Sequence, residues 1–102
     1  MPPTENEMRL FQMATIRTDF PDAHFWIVRR GSIKRCGEPV RSFNPEHIGI
    51  RVERTDLLLP DYLFYCLEAI HRRGEWQKIA TGTLSLVNIR VSDVRQIELS
   101  PR

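Results

Sequence analysis

The apolar positions of this chain change period along its length, and each change marks an element. In DLLLPDYLFYCLEAIHRRG, Leu63, Cys66, Leu67 and Ile70 fall at i, i+3, i+4 and i+7, the stripe of an amphipathic helix with one face to bury. Pro60 suits the first helical position and Asp61 the positive end of the helix dipole. Arg72 and Arg73 close the last turn, and Gly74 supplies a left-handed cap. These signals predict a helix over Pro60–Arg73. In HIGIRVE, by contrast, Ile48, Ile50 and Val52 alternate with His47, Gly49, Arg51 and Glu53, which predicts a half-buried strand.

The remaining pattern is shorter and more mixed. HFWIVRR, His24 to Arg30, has a continuous apolar, β-branched and aromatic middle, and predicts an interior strand buried on both faces. Gly31-Ser32 interrupts it, with Ile33-Lys34-Arg35 expected to resume it beyond a turn. MRLFQMATI, Met8 to Ile16, predicts a short helix burying Leu10, Phe11 and Ala14. Asp19–Ala23 and Gly37–Pro45, both with proline, read as a turn and a loop. Glu75–Ile79 predicts one more helical turn carrying Trp76 and Ile79 inward, and Ala80–Thr83 a small-polar loop. Leu84–Val91 predicts a short extended piece in which Asn88 breaks the alternation. Ser92 and Asp93 are candidate caps for a single turn, and Gln96–Leu99 a closing strand. Residues 1–7 read as a frayed polar lead. The expected architecture is α+β, a small mixed sheet with two to three helices packed on it.

With 102 residues the chain has the size of one domain with a modest core. No apolar run approaches the ~20 residues of a membrane helix, and no secretory pattern opens the chain. A cytoplasmic protein without a membrane partner is expected. Cys36 and Cys66 are lone cysteines with no C-x-x-C or paired-histidine spacing, so neither a metal nor a cofactor is expected. The net charge of +2 is uninformative, but its distribution is uneven. Residues 1–23 carry two basic and four acidic groups, residues 24–54 seven and three, and residues 55–102 six of each. The excess of four positive charges in the middle segment is a moderate electrostatic footprint of the kind a polyanion partner would meet.

His24, His47 and His71 are far apart and beside no nucleophile motif, and the Gly-Lys-Ser/Thr of a phosphate loop is absent. These residues offer binding rather than turnover. Two stretches could bind. In VRRGSIKR, the cations Arg29, Arg30, Lys34 and Arg35 surround Gly31, with Ser32 beside it and Arg41 further on. In ATGTLSLVN, Thr81, Thr83, Ser85 and Asn88 offer groups that bond phosphates or base edges. An ordinary solvated hairpin and a polar connecting loop are the structural alternatives.

The order of these pieces resembles the target recognition domain of type I restriction–modification specificity subunits. The family's Pro-x-Tyr-Leu-x-Tyr-x-Leu helix corresponds to Pro60-Asp61-Tyr62-Leu63-Phe64-Tyr65-Cys66-Leu67. Its Gly-containing small-polar loop corresponds to Ala80-Thr81-Gly82-Thr83. Its apolar lead-in and Ile-x-Leu/Ile-Pro ending correspond to Ile89, Val94 and Ile97-Glu98-Leu99-Ser100-Pro101. Its Arg-x-Gly-Ser/Thr-Ile-Gly strand end corresponds to Arg29-Arg30-Gly31-Ser32-Ile33-Lys34, with lysine where glycine is usual. The resemblance covers residues 24–101.

It implies a non-catalytic module that binds double-stranded DNA, with phosphates held by Arg29, Arg30, Lys34, Arg35 and Arg41. Ser32, Thr81, Thr83, Ser85 and Asn88 would lie at the DNA surface. Full specificity subunits carry two such domains separated by long helices, so this chain is expected to be a single stand-alone or truncated recognition domain. The alternative is a protein-interaction domain, either a homodimer or a partner of restriction–modification subunits, favoured by the aromatic wealth of Tyr62, Phe64 and Tyr65. A small nucleic-acid enzyme is the third class, with no constellation to support it.

Overall fold

The computed structural model describes residues 8–82 and 86–99. Strands β2 (Ala14–Thr18), β3 (Phe25–Ile27), β5 (Pro39–Val40) and β6 (Ile48–Val52) form its main layer. This is a four-stranded antiparallel sheet in the order β2-β6-β3-β5. Two smaller ribbons complete the strands. β1 (Met8–Arg9) pairs with β9 (Glu98–Leu99), and β4 (Arg30–Gly31), β8 (Val87–Asn88) and β7 (Thr81–Gly82) form a three-stranded sheet in that order. Helix α1 (Pro60–Arg72) and the short α2 (Val91–Arg95) pack on this frame. The architecture is α+β, as the sequence pattern predicts.

Register explains which side of the main sheet is buried. Ala14 pairs with Val52, Ile16 with Ile50, Phe25 with Ile50, and Ile27 with Ile48. Cross-strand partners share a face, so these side chains make one apolar surface. Leu63, Phe64 and Leu67 of α1 are buried in the same core, with Phe64 edge-on to Phe25 at 5.3 Å between ring centroids. Leu10, Ile89 and Val94 close it and are themselves inaccessible. The opposite face carries Trp26, Gly49, Arg17, Thr15 and Arg51. There the Asp19–Ala23 turn folds over Gly49, where a Cβ would stand 2.8 Å from that of Phe20. The Trp26 indole N–H donates to the Phe20 carbonyl at 2.9 Å, fixing the turn.

Several local expectations are corrected. Met8–Ile16 is not a helix: after Met8–Arg9 it makes a single 3-10 turn, Leu10–Gln12, then runs into β2. Pairing with the whole of β6 outweighs a short, uncapped helix, whose nucleus is costly. Leu10 and Ala14 are buried as expected, whereas Phe11 is exposed. Ile33-Lys34-Arg35 does not resume the strand; Ser32–Gly37 is a turn closed by hydrogen bonds from the Arg35 and Cys36 amides to the Ser32 carbonyl. Pro39–Val40, within the expected loop, is an edge strand, where proline is tolerated. Ile79 is exposed, and only Trp76 of the Trp76–Lys78 turn is buried.

At α2 the cap is Arg90, whose amide donates to the Asp93 carboxylate at 2.8 Å. Asp93 therefore acts from the third helical position, and Ser92 is not the cap. Among the described residues no helix is long and apolar enough to cross a membrane.

Candidate nucleic-acid interface

The two stretches with binding chemistry meet in the three-stranded sheet. Arg30 pairs with Asn88 and Gly31 with Val87; Thr81 pairs with Asn88 and Gly82 with Val87. β8 is the central strand. Val87 and Ile89 are buried and anchor it to the core, so Asn88 between them points to the other side. Because partners share a face, Arg30, Asn88 and Thr81 form one row across the three strands. The Thr81 hydroxyl donates to the Asn88 side-chain oxygen at 3.4 Å, and the Asn88 amide nitrogen adds donor chemistry to the row.

The basic turn follows directly from the β4 end of this row. Its backbone is held from three directions. The Ser32 hydroxyl accepts from the Arg35 amide at 3.3 Å, the Gly37 amide donates to the Val28 carbonyl at 2.8 Å, and the His71 Nε2 of α1 meets the Lys34 carbonyl at 2.6 Å. The Cys36 thiol is buried beneath the turn and donates to the Arg29 carbonyl at 3.5 Å. Burial pushes its pKa above the ordinary thiol value, as befits a thiol packed in the core. With its backbone fixed, the turn presents Lys34 and Arg35 to solvent.

The candidate cations differ in how committed they are. Arg30 and Lys34 are exposed and make no ion pair among the described residues. Arg35 is paired with Glu38 at 2.8 Å across a solvent-exposed contact, the kind of pair that costs little to exchange. Arg29 is half-buried, its Nε donating to the Glu46 carbonyl at 2.9 Å. Arg41 sits elsewhere, stacked on the Phe64 ring at 4.0 Å and 3.3 Å from the Asp61 carboxylate. The structure therefore brings Arg30, Lys34, Arg35, Thr81 and Asn88 to one region, with Ser32 in the turn backbone, and places Arg41 against α1. Thr83 and Ser85 lie outside the described residues, as do Leu84 and the Ser100-Pro101 ending.

Three residues that sequence reasoning assigned no part support the region. His71 holds the turn from the helix, Glu46 accepts from Arg29, and His47 lies within the field of Arg35. Burial first, and Arg35 second, lower the His47 pKa, against an opposing effect of Glu46. Contacts at such sequence separations leave no local signal. Among the described residues no three His, Cys, Asp or Glu side chains are grouped to hold a metal ion.

No protein-family model matches the chain, and no curated protein matches it in sequence. Among solved structures, the crystal structure of the Type-I restriction-modification system S subunit from M. genitalium is similar, with a TM-score of 0.66 at 14% sequence identity. The match covers 96% of this chain and 35% of that one. At such identity the likeness is one of fold, and the chain shares the fold of a segment of that S subunit.

Proposed function

We propose that this chain is a non-catalytic module that binds double-stranded DNA through the β4-β8-β7 sheet and the Ser32–Gly37 turn. The observation that carries this reading is the row Arg30–Asn88–Thr81, continuous with a basic turn whose backbone is fixed and whose cations face solvent. The fold-level likeness to an S subunit supports it. Lys34, Arg35 and Arg30 engage phosphates, which set affinity and orientation. The Asn88 amide, or Arg30 itself, offers donor geometry suited to a base edge.

Binding to a random-sequence duplex library at two salt concentrations tests the reading. With three phosphate contacts, log affinity falls against log salt with a slope of about −3. Arg30→Ala with Lys34→Ala removes most of the binding. Absence of duplex binding at low salt, or binding indifferent to salt, refutes it. The exposed aromatic side of α1 favours an additional, protein-facing surface.

A further inference from the structure

The outward side of α1 is self-complementary, and we propose that it pairs two copies of this chain through antiparallel α1 helices about a two-fold axis. The inward side is accounted for by Leu63, Phe64 and Leu67. The opposite side runs through Asp61, Tyr62, Tyr65, Ala69, Arg72 and Arg73, at helical steps of three and four. All are exposed except the half-buried Ala69. Tyr62 and Tyr65 are 61% and 60% exposed, and Leu57 and Leu59 extend the apolar surface from the helix N-terminus. Surface of this kind exceeds what a solvated helix needs.

A second copy fits this face better than an unrelated partner because of the order of its residues. In two antiparallel helices related by a two-fold axis, residues at nearly equal distances on either side of the axis meet when they lie on the same flank of the interface. With the axis at the height of Leu67, Asp61 meets Arg72 of the second copy, Tyr62 meets Arg73, and Tyr65 lies beside Ala69 near the axis. Each match is favourable in kind. The first joins opposite charges, the second sets a guanidinium on an aromatic ring, and the third seats a large side chain over a small one. Every match occurs twice, as an isologous contact requires. Tyr65 is oriented for the contact by its edge-on packing with Phe64 at 5.7 Å.

The exposed ion pairs Arg41–Asp61, Arg72–Glu68 and Arg73–Glu75 are at the surface and exchange at little cost. Two tyrosines and two leucines, each more than half exposed, contribute roughly 400–500 Å² per copy. That lies below the ~800 Å² of a standard interface, so association is expected at micromolar concentration.

Sedimentation velocity across roughly 5–500 μM tests the proposal. The wild type shifts from monomer to dimer over this range. Asp61→Arg and Arg72→Asp each weaken the dimer tenfold or more, and the double variant Asp61→Arg/Arg72→Asp regains the wild-type value. Ala69→Glu gives a monomer. Circular dichroism confirms that each variant is folded, as expected for surface positions. A wild type that stays monomeric throughout overturns the proposal, including the case in which α1 binds another protein. A dimer untouched by both Ala69→Glu and the charge reversals overturns it equally, since a different face must then be responsible.

Discussion

Gly37 links the basic turn to the hydrophobic core, and its substitution measures how tightly the two are coupled. Its φ of +92° lies in the region that disfavours side chains. A Cβ there would overlap the Trp76 indole at Cγ and Cδ1 and stand 2.7 Å from Nε1. Trp76 is itself 3% exposed and cannot move outward without opening the core. Gly74 is the matched control: its φ is +72°, but a Cβ there meets nothing nearer than the Gln77 side-chain oxygen at 3.7 Å. Left-handed strain alone costs about 1–2 kcal/mol, and overpacking a core adds about 1–3 kcal/mol. Gly74→Ala is therefore expected to destabilise by about 1–2 kcal/mol and Gly37→Ala by about 2–5 kcal/mol. Urea unfolding followed by tryptophan fluorescence reads both. Gly37→Ala should also weaken duplex binding under conditions where the variant is folded, because Lys34 and Arg35 ride on the displaced turn. Equal losses at the two glycines, within ~0.5 kcal/mol, would refute the view that Trp76 braces the turn.

In the salt titration, Arg30→Ala/Lys34→Ala should reduce the magnitude of the log–log slope by ~2, one unit per lost phosphate contact, whereas Arg41→Ala should leave it unchanged because Arg41 is stacked on Phe64 at α1 and not placed in the polar row or the basic turn. Truncating Leu67, fully buried between α1 and the sheet, should cost about 2–5 kcal/mol in the same urea assay, and a loss below ~1 kcal/mol would mean that α1 is not seated as described. Stability should fall on acidification from pH 7 towards 5.5. The His24 Nδ1 accepts the Val52 amide at 3.0 Å and must be unprotonated to do so, and burial, with Arg51 second and Glu53 opposing, lowers its pKa from 6.5. The unfolded chain then binds the proton more readily, so stability is present above the ordinary histidine pKa and is lost as pH falls through the depressed folded value. His24→Asn, which keeps an acceptor, should flatten the slope; wild-type stability that is constant or rises on acidification in that window would refute the assignment.

The elements legible in the sequence are those whose local signals agree with their tertiary surroundings. In α1, Pro60, the apolar stripe and Gly74 all specify the observed helix to within one residue of its end. In β6, the alternation of Ile48, Ile50 and Val52 matches their burial. Phe64 shows the limit of the stripe: it falls off the i, i+3, i+4 series yet is buried, because β3 places Phe25 against it. The N-terminal segment fails for a related reason. Ala14, Thr15, Ile16 and Arg17 do alternate, but Leu10, Phe11 and Ala14 also satisfy a helical spacing. Only the five-residue register with β6 decides between them.

The site is harder to read than the fold because its composition is local and its assembly is not. Four cations around Gly31 are visible in the sequence, but nothing in the segment specifies that Arg30 lies beside Asn88. The misleading residue is Leu86. With Leu84 it starts an alternation that makes Asn88 look like the break, whereas Leu86 is 54% exposed and Val87, Asn88 and Ile89 alternate cleanly. Once Val87 and Ile89 are fixed inward, Asn88 must face outward, and the register with β4 and β7 places Arg30 and Thr81 on either side of it. The polar row thus follows from where two apolar side chains are buried. Substituting Val87 or Ile89 should therefore disturb the row as effectively as substituting Asn88, although neither side chain can touch a ligand.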